Sequence, residues 1–359
     1  LVVEAASAAL DAAQIANGSV ATLAGDADLT AGGNISGQTV SALGNVTLDA
    51  DQYVTGTGVS ATGTVTVGGD PLNGTNNLLN SDIAGDAGVA VTVSDDAHGN
   101  RLTSVNDITV LAGQSVADTD MFTTTGDIDA DATAMNIVGG SAVAETGAVD
   151  LDAGMNIDGT LVVAGAGDAD LDASMNVIAA DVTAGGNINI GQRGDLTNLM
   201  NSTLAADGAV DVDAGDDVHN TDIAANLDID VLAGQSVVDT DMFTTRGDID
   251  AEATAMNIIG GSAAAETGMV DLGAGMYIND IDVTAGTTAD LLADADVTGV
   301  SVLAGGAVAV DGFTNPTAVS LHTSDIVAGG PVTVDLSQEM DGSTINSLST
   351  VDEIGRAHV

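Results

Sequence analysis

Hydrophobic and polar positions alternate with period two in short runs through most of the chain. In the run that opens at Gly126, Ile128, Ala130 and Ala132 share one side, and Asp127, Asp129 and Asp131 share the other. In the run from Gly147, Val149, Leu151 and Ala153 are opposed by Asp150 and Asp152. Such alternation predicts half-buried β-strands. Runs of the form G-x-[VIA]-x-[VLA]-x-A also open at Gly25, Gly44, Gly167, Gly208, Gly247 and Gly268, and with weaker copies they recur roughly every 20 residues. Glycine and asparagine at the ends of the units are expected to supply turns with positive φ. A further short strand is expected in the second half of many units, as at Ile137-Val138 or Asn187-Ile188-Asn189-Ile190.

A longer repeat contains the shorter one. Residues 107–157 recur at 228–278, an offset of 121, with 42 of 51 positions identical. The correspondence reaches upstream to Asp95-Asp96-Ala97-His98 and Asp216-Asp217-Val218-His219. Six short steps fill the long one. A coil of about 20 residues holding two or three short strands is the mark of an all-β parallel β-helix, or β-solenoid, with strands ~4.8 Å apart, aliphatics inside and Asp and Thr outside. Residues 21–352 read as one solenoid. Residues 1–20 read as a degenerate coil or the start of a fragment, and Glu4 to Gln14 suits either a helix or such a coil. Pro71, Pro316 and Pro331 fall in irregular stretches, as loops or the first residue of a strand. The closing residues Glu353-Ile354-Gly355-Arg356-Ala357-His358-Val359 are what a widely used sequencing adapter encodes in one frame. Residues 353–359 are therefore expected to be foreign, and the missing Met at the start is expected to mark a truncation.

Composition sharpens this picture. Hydrophobic residues make up 45% of the 359, but aromatics only 1%, and Trp is absent. A globular core of that size would ordinarily hold large aromatics; a thin core of Ala, Val, Ile and Leu does not need them. The net charge is −49, from 53 acids against 4 Arg and no Lys. That field repels polyanions, which argues against nucleic acid or anionic membrane as partners, and attracts cations such as Ca²⁺. With no cysteine there are no disulfides and no thiolate chemistry. No run is long and apolar enough to span a membrane.

The runs GDADLTAGGNI from Gly25, GNVTLDA from Gly44 and DVTAGGNINIG from Asp181 resemble the repeats of filamentous haemagglutinin-like exoproteins of two-partner secretion. The likeness covers most of residues 20–340. It implies right-handed coils of this length, export to the cell surface or beyond through an outer-membrane transporter, and a role as adhesin or stalk. Host or surface glycans, proteins or other cells would be the partners. The family's secretion domain has no counterpart here, and Asn315-Pro316 does not match its motifs.

Several residue groups invite a chemical reading. Asp127, Asp129 and Asp131, and likewise Asp168, Asp170 and Asp172, begin like an EF-hand loop. Such a loop needs Gly at its sixth position and Glu at its twelfth; Ala132 and Val138, or Ala173 and Ala179, stand there instead. Loosely bound Ca²⁺ between coils remains open beside a plain solvated face. Asp95, Asp96 and His98, with their copies Asp216, Asp217 and His219, have carboxylate and imidazole ligands for a divalent metal, or form a turn with a solvated histidine. Six coils of ~4.8 Å separate the copies, so they cannot share one ion. Met121-Phe122 and Met242-Phe243 suit core packing or a coil-edge plug. Catalytic β-helices that cut polysaccharides need a localised carboxylate pair, commonly beside a basic residue. Asp pairs occur here in nearly every coil, and outside the tail the basic residues are only Arg101, Arg193 and Arg246. The reading is a non-enzymatic shaft of a secreted surface adhesin without a cofactor. Alternatives are a Ca²⁺-dependent array of tandem Ig-like domains and a polysaccharide-degrading β-helix.

Overall fold

The computed structural model describes residues 2–22, 24–68, 75–194, 196–313 and 320–355. The expectations placed on Pro71, Asn315 and Pro316 lie outside them. Among the described residues every regular element is a strand, as the period-two runs predict, and the strands pair in parallel ladders, as the coil length predicts. Coils follow one another roughly 20 residues apart, about 17 turns in all. Tandem Ig-like sandwiches, an alternative left open by the 121-residue offset, are excluded, because sandwiches are built from antiparallel strands.

The chain divides into two compact units, Leu1–Met175 with Ala180–Gly185, and Asn176–Ala179 with Gly186–Val359. In the first unit a typical coil holds three strands, Ile128–Ala132, Asn136–Val138 and Ser141–Ala144. The first lies in one sheet and the other two in a second. The next coil repeats this as Val149–Ala153, Asn156–Asp158 and Leu161–Ala164, paired residue for residue with the one before. The second unit repeats it as Ile249–Ala253, Asn257–Ile259 and Ser262–Ala265. Ile188–Ile190, expected in the second half of a coil, instead lies in the first-strand sheet opposite Val210–Val212.

Register turns the sequence pattern into a core. Ala130, Leu151 and Leu171 stack in one column and are fully buried. Ala132, Ala153 and Ala173 stack in the next. A one-residue slip would put every aliphatic on the outer face and every Asp inside, so the register is strongly specified. The core closes without aromatics because its inward slots are filled by Ala, Val, Ile and Leu, with Met121 and Met242.

Most coils turn a corner between their second and third strands on a left-handed residue, joined by a second one at Gly140 and Gly261; in the first two coils the residue lies within the continuous strands Ile15–Thr22 and Ile35–Ala42. In the first unit these are Asn17, Gly37, Gly56, Asn80, Gly99, Asp118, Gly139 and Gly159; in the second they are Ala179, Asn201, Asn220, Asp239, Gly260, Asp280, Gly299, Thr323 and Gly342, all with φ between 46° and 69°. Gly, Asn and Asp tolerate that region; Ala179 (φ 51°) and Thr323 (φ 46°) do not do so readily. The residue after the corner is often a buried hydroxyl that donates to the carbonyl two residues back, as Thr119 does to Ala117 and Thr240 to Val238.

The glycines that open the units differ from expectation. Gly126, Gly147 and Gly167 are not left-handed; they are needed because the neighbouring coil's backbone lies against them. A Cβ on Gly147 would fall 2.1 Å from the Gly126 carbonyl oxygen. At the start of the chain, Val2–Ala5, Ala8–Ala12 and Ile15–Thr22 are strands, and Ala8–Ala12 pairs with Ala27–Ala31. Pairing overrides the helix propensity of its alanines. Pro331 immediately precedes Val332–Leu336, where its missing N–H is not needed. The strand Val351–Gly355 carries the backbone of Glu353, Ile354 and Gly355 into the ladder opposite Val334, Asp335 and Leu336.

Candidate functional site

The outward face of the first-strand sheet carries columns of acidic residues. In the first unit Asp129, Asp150 and Asp170 lie opposite one another on consecutive coils, and so do Asp131, Asp152 and Asp172. The two columns form an array of six carboxylates on one face. The period-two pattern places Asp129, Asp131, Asp170 and Asp172 there; the coil between them, with Asp150 and Asp152, joins the two groups into one surface. Like charges directly opposite across a ladder repel, so the array favours counter-ions. Arranged on a flat sheet, it offers carboxylates from one side only, which suits diffuse association better than a closed coordination shell. Among the described residues no three or more His, Asp or Glu side chains converge as a metal-binding group.

Asp127 does not belong to this array. It lies in the turn before the strand, and its Oδ1 accepts the backbone N–H of Ala148 on the next coil at 2.8 Å. Asp107 accepts the N–H of Asp127 in the same way, at 3.0 Å. In the second unit Asp228 and Asp248 do this for Asp248 and Met269. The turn carboxylates thus pass a hydrogen bond up the corner, coil by coil. Asp168 occupies the equivalent corner and is exposed.

The Asp-Asp-x-His groups are spread over three different contacts. Asp95 accepts a hydrogen bond from the Gln114 side chain, Asp96 from the Ser115 backbone N–H, and His98 Nδ1 lies 3.8 Å from the Asp118 carboxylate. In the second unit Asp216 accepts from the Gln235 side chain and Asp217 from the Ser236 N–H, while His219 is exposed. Asp96 and Asp217 therefore point along the stack to cap the next coil, and each histidine stands on a two-residue strand facing solvent. Met121 and Met242 are buried in the core, whereas Phe122 is half-buried and Phe243 exposed.

One electrostatic feature was not legible from the motifs. In the second unit Asp211, Asp230, Asp250, Asp271 and Asp290 form a single outward column over five coils. Burial raises Asp271 from the ordinary carboxylate range to about 6, helped by repulsion from Asp250, Asp290 and Glu252. Burial also raises Asp230, with repulsion from Asp250, Asp211 and Asp228 added, and it raises Asp250 and Asp290. Beside this column the acidic pattern is broken at Gly273, the counterpart of Asp152, and the Phe313 ring lies over Gly273: a Cβ there would fall 2.5 Å from Phe313 Cε2.

Compared with known proteins, the chain matches no family model, no curated protein and no solved structure.

Proposed function

We propose that this chain is a segment of the shaft of an exported bacterial surface protein, of the filamentous haemagglutinin-like kind, whose task is to hold an attachment surface or a distal tip away from the cell. The observation that carries the reading is the equivalence of its coils. In the first unit the three consecutive coils that carry Asp129, Asp150 and Asp170 present the same outward acidic pattern, none set apart from the other two. The stretch 107–157 is written again at 228–278, 121 residues further on, with most of its outward residues kept. A shaft needs repetition, a thin self-supporting core and a surface that resists aggregation, and a strongly acidic exterior supplies the last. A catalytic β-helix needs one coil that differs from its neighbours in a concentrated way.

On this reading the chain is extracellular, reaches the surface with the help of an outer-membrane transporter, needs no cofactor, and meets glycans, proteins or other cells. The test is a display experiment. The chain is inserted between a surface anchor and an epitope tag and compared with a version lacking residues 107–227, one long repeat. Greater antibody access to the tag with the full chain is expected; equal access would contradict a spacer role. Release of reducing ends from a panel of neutral and acidic polysaccharides would favour the enzymatic alternative instead.

A further inference from the structure

We propose that the carboxylate column Asp211–Asp230–Asp250–Asp271–Asp290, roofed beside Asp271 by Phe313, takes up protons in mildly acidic medium and thereby tightens the stacking of the second unit's coils. The column is a matter of register: each Asp lies opposite the next on an adjacent parallel strand. With neighbours ~4.8 Å apart, five ionised carboxylates in one row repel at close range. Where a neutral residue occupies the equivalent outward position, as with Thr47 beside Asp28, the repulsion is absent.

The roof is specific to this place. Phe313 follows the strand Val308–Asp311 and lays its ring on Gly273, whose counterpart in the first unit is Asp152. An aspartate at 273 would collide with the ring. With the ring on Gly273 and no carboxylate there, Asp271 keeps Asp250 and Asp290 as its ladder partners on either side. The charged groups facing Asp271 are Asp250 and Glu252 from Ile249–Ala253, and Asp290 from Ala289–Ala293. The other titratable groups on strands packed against Val270–Ala274 are Tyr277 and Asp282, both in the second sheet. The Asp311 carboxylate, near the roof, accepts the Gly312 N–H. Among the described residues no cation belongs to these groups, which leaves protons and solvent ions to offset the repulsion.

A proton taken from solvent by Asp271 turns one acceptor into an O–H donor, and a repelling pair becomes a hydrogen-bonded one. The sign follows from linkage. The folded carboxyl is raised to about 6, whereas in the unfolded chain it titrates near 3.8. The folded state therefore binds more protons in that window. The stabilisation is complete below the unfolded value and is lost as pH rises through about 6.

The experiment is thermal unfolding of the full chain at pH 5.0 and 7.5, at constant ionic strength, for wild type, Asp271→Asn, Phe313→Ala and Asp28→Asn. Wild type is expected to melt roughly 3 °C or more higher at pH 5.0. Asp271→Asn should melt higher than wild type at pH 7.5 and lose most of the acid gain. Phe313→Ala should shrink the gain by opening Asp271 to water. Asp28→Asn makes the same charge change outside the column and should keep the wild-type profile. A wild type with no acid gain, an Asp271→Asn chain that keeps it, or a Phe313→Ala chain that keeps it in full overturns the proposal. So does an Asp28→Asn chain that loses the gain equally, since the effect would then belong to net charge.

Discussion

Asp127 Oδ1 accepts the backbone N–H of Ala148, one coil further along, at 2.8 Å. The residue that opens an EF-hand-like triplet in the sequence is thus a corner cap between coils. Asp127→Ala should lower stability by about 1 kcal/mol, the net worth of one such hydrogen bond, while Asp127→Asn, which keeps the acceptor, should be nearly neutral. Denaturant unfolding of the two variants distinguishes a cap from a charge, since a purely electrostatic role would make both substitutions alike.

Ala179 stands at a corner where other coils use Gly, Asn or Asp, with φ 51°. A Cβ in the left-handed region costs about 1–2 kcal/mol, part of which glycine returns through its freer unfolded chain. Ala179→Gly should therefore stabilise by about 0.5–1 kcal/mol, and Thr323→Gly by at least as much. A lower Tm for both variants would show that the corner geometry is wrong.

Leu171 is fully buried in the column it shares with Leu151. Leu171→Ala should cost about 2–5 kcal/mol, because the ladder-bound backbone around it cannot collapse into the lost volume. Because coil stability is transmitted mainly between neighbours, the loss is expected to be local. Hydrogen exchange should speed up most in Ala169–Ala173 and the adjoining coil Val149–Ala153. Uniform acceleration over all coils would contradict nearest-neighbour coupling.

The six-carboxylate array of Asp129, Asp131, Asp150, Asp152, Asp170 and Asp172 lies on one flat face. Such a surface screens rather than chelates. Ca²⁺ and Mg²⁺ at equal millimolar concentration should raise Tm by similar amounts, and the gain should fade in high NaCl. A saturable rise with Ca²⁺ alone at micromolar concentration would show a discrete site.

The parts of the fold that follow a period were readable from the chain. Ile128, Ala130 and Ala132 are buried as their alternation demands, because a strand's two faces are set by nothing but position. Parallel stacking followed from the coil length. What escaped was whatever depends on the neighbouring coil. Gly126 and Gly147 look like turn residues in one dimension, yet they are backbone contacts in three. Asp127 and Asp129 are two positions apart and indistinguishable by type, but one caps a corner and the other lines a face. The raised Asp271 could not be anticipated because its burial and its repulsion by Asp250, Asp290 and Glu252 arise only when neighbouring coils stack.

The central claim is that consecutive coils lie in parallel register, and the absence of cysteine allows a clean test of it. Asp129 and Asp150 are direct ladder partners, at a spacing that suits a disulfide. The double variant Asp129→Cys/Asp150→Cys should close an intramolecular disulfide under mild oxidation, seen by mass spectrometry of a proteolytic digest. The out-of-register pair Asp129→Cys/Asp172→Cys should not. Failure of the first pair to close, or closure of both with equal ease, would contradict the stacked-coil architecture.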